Sequence, residues 1–111
     1  MTCKKWDIIL VPFPFSDLTA TKKRPALVIS PDEFNTGIDV VIAFITSKLD
    51  SPYRIGDYQI QAWQNANLPK PSMIRMKFTT LDKSIIIKKL GRLDNRDIAE
   101  FVELLKDFVT K

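Results

Sequence analysis

The sequence predicts a mainly β protein, a small β-barrel with one helix at its C-terminal end. Short segments rich in β-branched and aromatic residues are separated by proline, glycine and polar residues over most of the chain. A single stretch after residue 93 instead repeats its apolar residues at steps of three and four, which indicates a helix. Because no internal repeat or linker divides the 111 residues, we expect one domain over residues 1–111.

The first predicted strands lie near the start of the chain. Trp6–Phe13 is rich in β-formers, and Pro12 and Pro14, which cannot donate to a strand ladder, close it at an edge. The polar segment Ser16–Lys23 predicts an exposed loop. Pro25–Ser30 is a nearly continuous apolar run, which is typical of a strand buried on both faces.

The middle of the chain alternates predicted turns and strands. Pro31–Gly37 is expected to turn the chain, and the β-branched content of Asp39–Thr46 favours a strand over a helix. Gly56–Gln61 alternates weakly, as a half-exposed strand would. Ile85–Leu93 predicts another strand, after a single helical turn at Asp82–Ile85.

The last segment predicts an amphipathic helix. Asp94 can serve as its N-cap, and Asp97 lies three residues on, where a capping box places its second partner. Leu93 and Ile98 have the spacing of a hydrophobic staple. One apolar stripe should pack on the barrel. It comprises Ile98, Phe101, Val102, Leu105, Phe108 and Val109.

Composition excludes several classes of function. The chain has no histidine and one cysteine, Cys3, so the common zinc and haem sites and histidine-dependent triads are excluded. Only oxygen-ligand metals remain, and the carboxylates show no dense pattern, so we expect no metal and no cofactor. A single cysteine, no apolar span of about 20 residues and no signal-peptide core predict a cytoplasmic protein without a membrane partner.

Charge favours an anionic partner. The net charge is +4 and the pI is about 9.3, and lysine and arginine bind phosphates with release of counterions. Three consecutive cations are Lys22, Lys23 and Arg24. A guanidinium that a buried strand holds in place can bind a phosphate through two hydrogen bonds. The alternative is that these residues form a solvent-exposed edge. Thr46 and Ser47 end a strand next to a loop, where a catalytic position and a simple capping turn are both open.

A second basic element comes later in the chain. Met73–Phe78 alternates apolar and basic residues, which places Arg75 and Lys77 on one face that cannot be a dry core. Three aromatic residues in loop-like places could stack on unpaired bases, although core or dimer contacts are the favoured interpretation for the first two. They are Phe13, Phe15 and Tyr53.

Several motifs together resemble one family. The chain carries Asp-Ile-Ile-Leu-Val-Pro-Phe-Pro-Phe from Asp7, Lys-Arg-Pro-Ala-Leu-Val-Ile-Ser from Lys23, and Ile-Thr-Ser from Ile45. Thr-Leu-Asp-Lys-Ser from Thr80 and Leu-Gly-Arg-Leu from Leu90 follow. In order and spacing these motifs resemble the MazF/PemK-like type II toxins, or mRNA interferases, nearly from end to end.

The resemblance implies a fold, an activity and partners. It implies an SH3-like barrel of the CcdB/MazF type, a homodimer, and a cognate antitoxin that covers the basic groove. It also implies cleavage of single-stranded RNA without a metal, to 2′,3′-cyclic phosphate and 5′-hydroxyl ends. Arg24 matches the family's catalytic arginine and Thr46 its catalytic threonine. The expected RNA-binding residues are Lys22, Lys23, Ser47, Arg75 and Lys77.

The sequence also departs from the family's pattern. Trp6 replaces the usual glycine, Lys77 replaces an acidic residue found in many members, and no glutamate precedes Arg24 in the first loop. Asp17 is the candidate general base, although a loop aspartate is more often a turn residue. Two alternatives therefore stay open: a non-catalytic CcdB-like barrel that binds a protein target, and a barrel that binds nucleic acid without cutting it.

Overall fold

Six strands and two helices make up the part of the chain that a computed structural model describes, residues 2–13, 22–50 and 52–111. In chain order they are β1 Asp7–Phe13, β2 Lys22–Val28, α1 Asp32–Asn35, β3 Asp39–Thr46, β4 Tyr58–Gln59, β5 Met73–Asp82, β6 Lys88–Arg92 and α2 Asn95–Thr110. A 3-10 turn, Lys83–Ile85, precedes β6. Among these residues no helix has the length and apolar character that crossing a membrane requires.

The strands form one antiparallel sheet in the order β4-β5-β3-β2-β1-β6. Because side chains alternate along each strand, the sheet has two apolar faces. One face packs against α2 around Phe101, together with Ile8 and Leu27. The other face buries Ile9 and Ile42, and Ile85 and Ile86 from the 3-10 turn and the residue after it pack against them. The predicted mainly β fold with a C-terminal helix is confirmed.

Most predicted element positions agree with the structure, and the differences follow from strand pairing. β3 has the predicted bounds. β2 begins at Lys22 and not at Pro25, because Phe13 pairs with Lys22 and the β1–β2 ladder extends that far. β5 continues to Asp82 because it pairs with the whole length of β3.

Other differences are local. α1 replaces part of the turn predicted at Pro31–Gly37, and β4 has only two residues. β1 begins at Asp7, since Trp6 has a φ of 75° and cannot continue a strand. The predicted helical turn is present as Lys83–Ile85, and it shortens the strand that follows.

The N-terminus of α2 confirms one capping prediction and corrects another. The Asp94 carboxylate accepts a hydrogen bond from the Arg96 amide at 2.9 Å, as an N-cap should. That bond, with a second from the Asn65 side chain, lowers the pKa of Asp94. Asp97 does not complete a capping box, so that part of the prediction is wrong. Its carboxylate is fully buried and turns towards the segment before β5.

Asp97 holds α2 to the sheet through three hydrogen bonds. Its carboxylate accepts the Tyr58 hydroxyl at 2.5 Å and the amides of Gln61 and Ala62 at 2.9 Å each. Burial raises the pKa of Tyr58, and hydrogen bonds to Asp97 and Glu100 raise it further, so the hydroxyl remains a donor. The buried charge is therefore compensated by donors from one short segment.

We expect Asp97→Ala to lower the free energy of unfolding by roughly 3 kcal/mol, because it leaves three buried donors without an acceptor. Urea denaturation measures the loss. Asp107→Ala, at an exposed position of the same helix, is the matched control and should stay within about 0.5 kcal/mol of wild type. Equal effects of the two substitutions would contradict this role.

Candidate functional site

A basic groove lies where β1, β2, β3 and β5 come together at one end of the sheet. Its volume is about 240 Å³, and we call it the first groove. The described residues that line it are Phe13, Arg24, Phe44, Ile45, Thr46, Lys48, Arg54, Arg75 and Lys77. Five of these nine are cationic and none is a carboxylate. Such a lining suits an anion.

Arg24 reaches this groove from the face of the sheet that buries Ile9 and Ile42. It lies opposite Val11 in the β1–β2 ladder and shares a face with Ala26, so it takes the next position in a buried row. Its guanidinium carbon lies 4.9 Å from the centre of the Phe13 ring. The Arg24 Nε is buried and donates to no partner among the described residues. Within residues 2–13, 22–50 and 52–111 the guanidinium is therefore supported by an aromatic face and forms no ion pair with an acid.

Thr46 lies beside Arg24 at the end of β3. Its hydroxyl oxygen accepts a hydrogen bond from the Lys48 amide at 3.1 Å, which is the predicted Thr-Ser turn. Because the oxygen acts as acceptor in that bond, the hydroxyl proton can be donated to a ligand. The capping role and a ligand-binding role are therefore compatible.

A bulge in β5 places two cations, Arg75 and Lys77, in the lining of the first groove. Ala43 pairs with Phe78 and Ile45 with Ile74, so Phe44 alone faces residues 75–77 of β5. Bulges of this kind redirect side chains and are common beside active sites. Here both cations of the bulge, Arg75 and Lys77, line the first groove. The ammonium group of Lys77 lies 4.8 Å from the Phe44 ring centre.

Arg75 is fixed by the segment before β4. Its Nη2 donates to the Pro52 carbonyl at 3.2 Å and lies 3.5 Å from the Asp57 carboxylate. That carboxylate is 3% exposed and also accepts the Arg54 amide at 2.8 Å. The turn itself needs Gly56, whose φ is +90° and whose Cα faces the side chain of Met76 too closely for a Cβ.

A second groove of about 200 Å³ adjoins the first at Arg24 and Ile45. It brings together Lys23, Arg24, Pro25, Ile45, Ser47, Pro69, Lys70 and Ser72. Lys23 and Ser47 of the predicted set therefore lie here and not in the first groove. Lys22 lines neither groove and is exposed at the start of β2.

Two aromatic predictions and the candidate base have different outcomes. Phe13 lines the first groove, whereas Tyr53 lines a separate apolar groove of about 440 Å³ with Ile55 and Phe108. Asp17 and Phe15 lie outside the described residues. In the described ranges, no three or more carboxylate and cysteine side chains come together where they could hold a metal ion.

Sequence reasoning missed three cations of the two grooves. Lys48 follows the Thr-Ser pair directly, so its position next to a strand end was a usable signal. Arg54 and Lys70 lie in connecting segments, and only the packing of those segments on β5 and beside β3 brings them to the site. No local pattern marks either residue.

Comparison with known proteins identifies the family. Residues 4–109 match the profile of the PemK-like, MazF-like toxins of type II toxin-antitoxin systems. The chain belongs to this toxin family. The resemblance drawn from its motifs is thereby confirmed. A comparison with curated proteins found no match.

Solved structures share the toxin's fold at low sequence identity. An endoribonuclease in complex with its cognate antitoxin, from a mycobacterial species, has a TM-score of 0.72 at 15% identity and covers 97% of this chain and 93% of its own. MazE–MazF from Deinococcus radiodurans gives 0.74 at 16%, covering 99% and 97%. The Mycobacterium tuberculosis toxin MazF-mt6 gives 0.72 at 16%, covering 91% and 93%.

For the toxin's Asp57–Arg75 pair we expect a coupling energy of about 1 kcal/mol or more in a double-mutant cycle of Asp57→Asn and Arg75→Ala. The pair is largely buried, so solvent screens it little. Denaturation midpoints of the four proteins provide the cycle. The matched control is Glu103–Lys106 in α2, whose side chains are 76% and 67% exposed and should couple by less than about 0.5 kcal/mol. Similar couplings for both pairs would contradict the assignment.

Proposed function

We propose that this protein is the toxin of a type II toxin-antitoxin system and an endoribonuclease that cuts single-stranded RNA without a metal ion. Family membership supports the first part. The second rests on the pairing of Arg24 with Thr46 in a groove that has five cations among its described lining residues. Structural neighbours described as endoribonucleases agree with it. The proposal includes a single domain over residues 1–111.

The first groove supplies positive charge where an RNA phosphate would need it. Arg24, Arg75 and Lys77 can place cationic donors around one phosphate, and an arginine can contact it with two parallel hydrogen bonds. Because Arg24 and Lys77 are held by aromatic rings, their charges remain available to a ligand. Thr46 would donate its hydroxyl proton to a non-bridging oxygen.

The reaction that fits this groove is attack of a ribose on its own phosphate. The 2′-oxygen forms a bond to the adjacent phosphorus, and the bond from phosphorus to the 5′-oxygen of the next nucleotide breaks. The products are a 2′,3′-cyclic phosphate and a 5′-hydroxyl. Arg24 would stabilise the extra negative charge of the phosphorane and give a proton to the leaving oxygen. Asp17 is the candidate acceptor of the 2′-hydroxyl proton.

Polar and cationic residues outside the first groove would add affinity for any RNA sequence. Lys22 and Lys23 at the start of β2 and Ser47 beyond β3 would contact the strand outside the scissile phosphate. Each phosphate that a cation neutralises releases counterions, so binding should weaken as salt rises. These contacts position the strand without reading bases.

The proposal includes two protein partners and a compartment. A second copy of the chain would cover the exposed apolar side chains that line the groove of about 440 Å³, namely Tyr53, Ile55 and Phe108. We therefore expect a homodimer, and sedimentation velocity at micromolar concentration should show it; monomer alone would contradict it. An antitoxin would cover the basic grooves in the cytoplasm, and its addition should stop RNA cleavage.

The deciding experiment incubates the full chain with a long single-stranded RNA in EDTA. Wild type should cleave it, whereas Arg24→Ala should lower the rate by about a hundred-fold or more, because one preorganised cation is lost from the transition state. Arg24→Lys keeps the charge but loses the planar fork and should be intermediate. Arg96→Ala, an exposed arginine at the start of α2, is the control and should cleave normally.

End analysis by mass spectrometry separates this chemistry from simple hydrolysis. Fragments with a cyclic phosphate are lighter by one water molecule than fragments with a linear phosphate. Intact RNA with folded, antitoxin-free protein would overturn the proposed activity and favour a toxin that binds a protein target. RNA that is bound with a steep salt dependence but not cut would favour a nucleic-acid-binding barrel.

A further inference from the structure

The second groove points to a binding site for a neighbouring phosphate of the same RNA strand. We propose that Lys70, with Lys23 and Ser47, binds the phosphodiester next to the one that is cut. This inference rests on the proposed ribonuclease activity and assigns a role to Lys70, which no motif marks. It also gives the second groove a defined ligand, a non-bridging phosphate oxygen pair.

The two grooves meet at Arg24. Arg24 and Ile45 line both of them, so the two grooves adjoin at these residues. An RNA strand whose scissile phosphate contacts Arg24 must continue on either side of that residue. The second groove, which neither Arg75 nor Lys77 lines, is the depression that would receive the RNA on one of these sides. The adjacent phosphate is then the first anionic group to reach it.

The chemistry of the second groove matches a phosphodiester. Its described lining carries three cations, Lys23, Arg24 and Lys70, and two serine hydroxyls, with no carboxylate. Lysine ammonium groups and hydroxyls are common phosphate donors that carry no base preference. The remaining lining is Pro25, Ile45 and Pro69, an apolar surface on which a ribose can rest. A phosphate with its sugar fits this combination of donors and apolar surface.

Lys70 projects from a rigid backbone. It lies between Pro69 and Pro71, and each proline ring fixes one φ angle. The Lys70 carbonyl accepts the Ser72 hydroxyl at 2.9 Å, and the Ser72 carbonyl accepts the Ile60 amide at 2.9 Å. Because the backbone is already ordered, binding has to restrict only the lysine side chain. Lys70 is therefore better suited to positioning a ligand than a lysine on a loose loop.

The test uses two RNAs that share the same cleaved bond. One extends by several nucleotides on both sides, and the other is trimmed to the dinucleotide step, whose sole phosphate is the scissile one. In the full chain, Lys70→Ala should raise the KM for the long RNA roughly three- to ten-fold with little change in kcat. The trimmed RNA should be cut with unchanged KM. RNAs extended on one side alone then show whether the bound phosphate is 5′ or 3′ of the cut.

Salt dependence gives a second readout that a merely structural change would not produce. The slope of log affinity against log salt for the long RNA should become shallower by about 0.7 in Lys70→Ala, because one contact to a single-stranded phosphate is lost. Lys106→Ala is the matched control, because Lys106 is an exposed lysine on α2, far along the chain from either groove. It should leave KM and the salt slope unchanged. Thermal unfolding shows that both variants are folded.

Several outcomes would overturn the proposal. They are an unchanged KM for the long RNA, an equal increase for the trimmed RNA, or an unchanged salt slope. If Lys70→Ala weakens the antitoxin complex and leaves RNA cleavage untouched, the groove binds a protein and not RNA. A wild-type protein that cuts neither RNA would instead overturn the proposed ribonuclease activity, and this inference with it.

Discussion

The arrangement of the site depends on one buried carboxylate. Asp97, fully buried in α2, accepts the Tyr58 hydroxyl and the two amides that follow β4. Tyr58 pairs with Ile74 at the start of β5, and Ile60 donates to the carbonyl of Ser72. The same helix contact therefore locates the segment that carries Lys70 and the strand that carries the bulge. The carboxylate that is buried under α2 therefore contributes to the geometry of both grooves.

The site pairs two of the five cations of the first groove, Arg24 and Lys77, with neutral aromatic rings. Phe13 supports Arg24 and Phe44 supports Lys77, and in the described part of the chain neither cation forms an ion pair with an acid. Arg75 differs, since Asp57 lies 3.5 Å away and ties it to the preceding turn. An aromatic support orders a cation at little cost to its charge, whereas an acid orders it more firmly and partly neutralises it. The groove combines both kinds of support.

Local sequence patterns predicted the strands better than the contacts between them. β3 has the predicted bounds because its β-branched run and its turns agree. Arg24 and Thr46 were found because they adjoin strands whose course the pattern defines. Asp97 was misassigned because an acidic residue at this position can either complete a capping box or accept hydrogen bonds from another segment. The sequence does not distinguish the two, since the choice depends on where Gln61 and its neighbours lie in the fold. The missed Lys70 likewise reaches the site through packing across the chain.

The division of the site between strands and connecting segments also bears on how such a protein can evolve. Arg24, Thr46 and Arg75 are held in paired strands, where a change of register would disturb the core. Arg54 and Lys70 lie in connections, which tolerate substitution and insertion far better. Descendants of this chain can therefore exchange the cations of the connecting segments while they retain the strand residues for which we propose a role at the scissile phosphate. New targets can arise in such a lineage without a new fold.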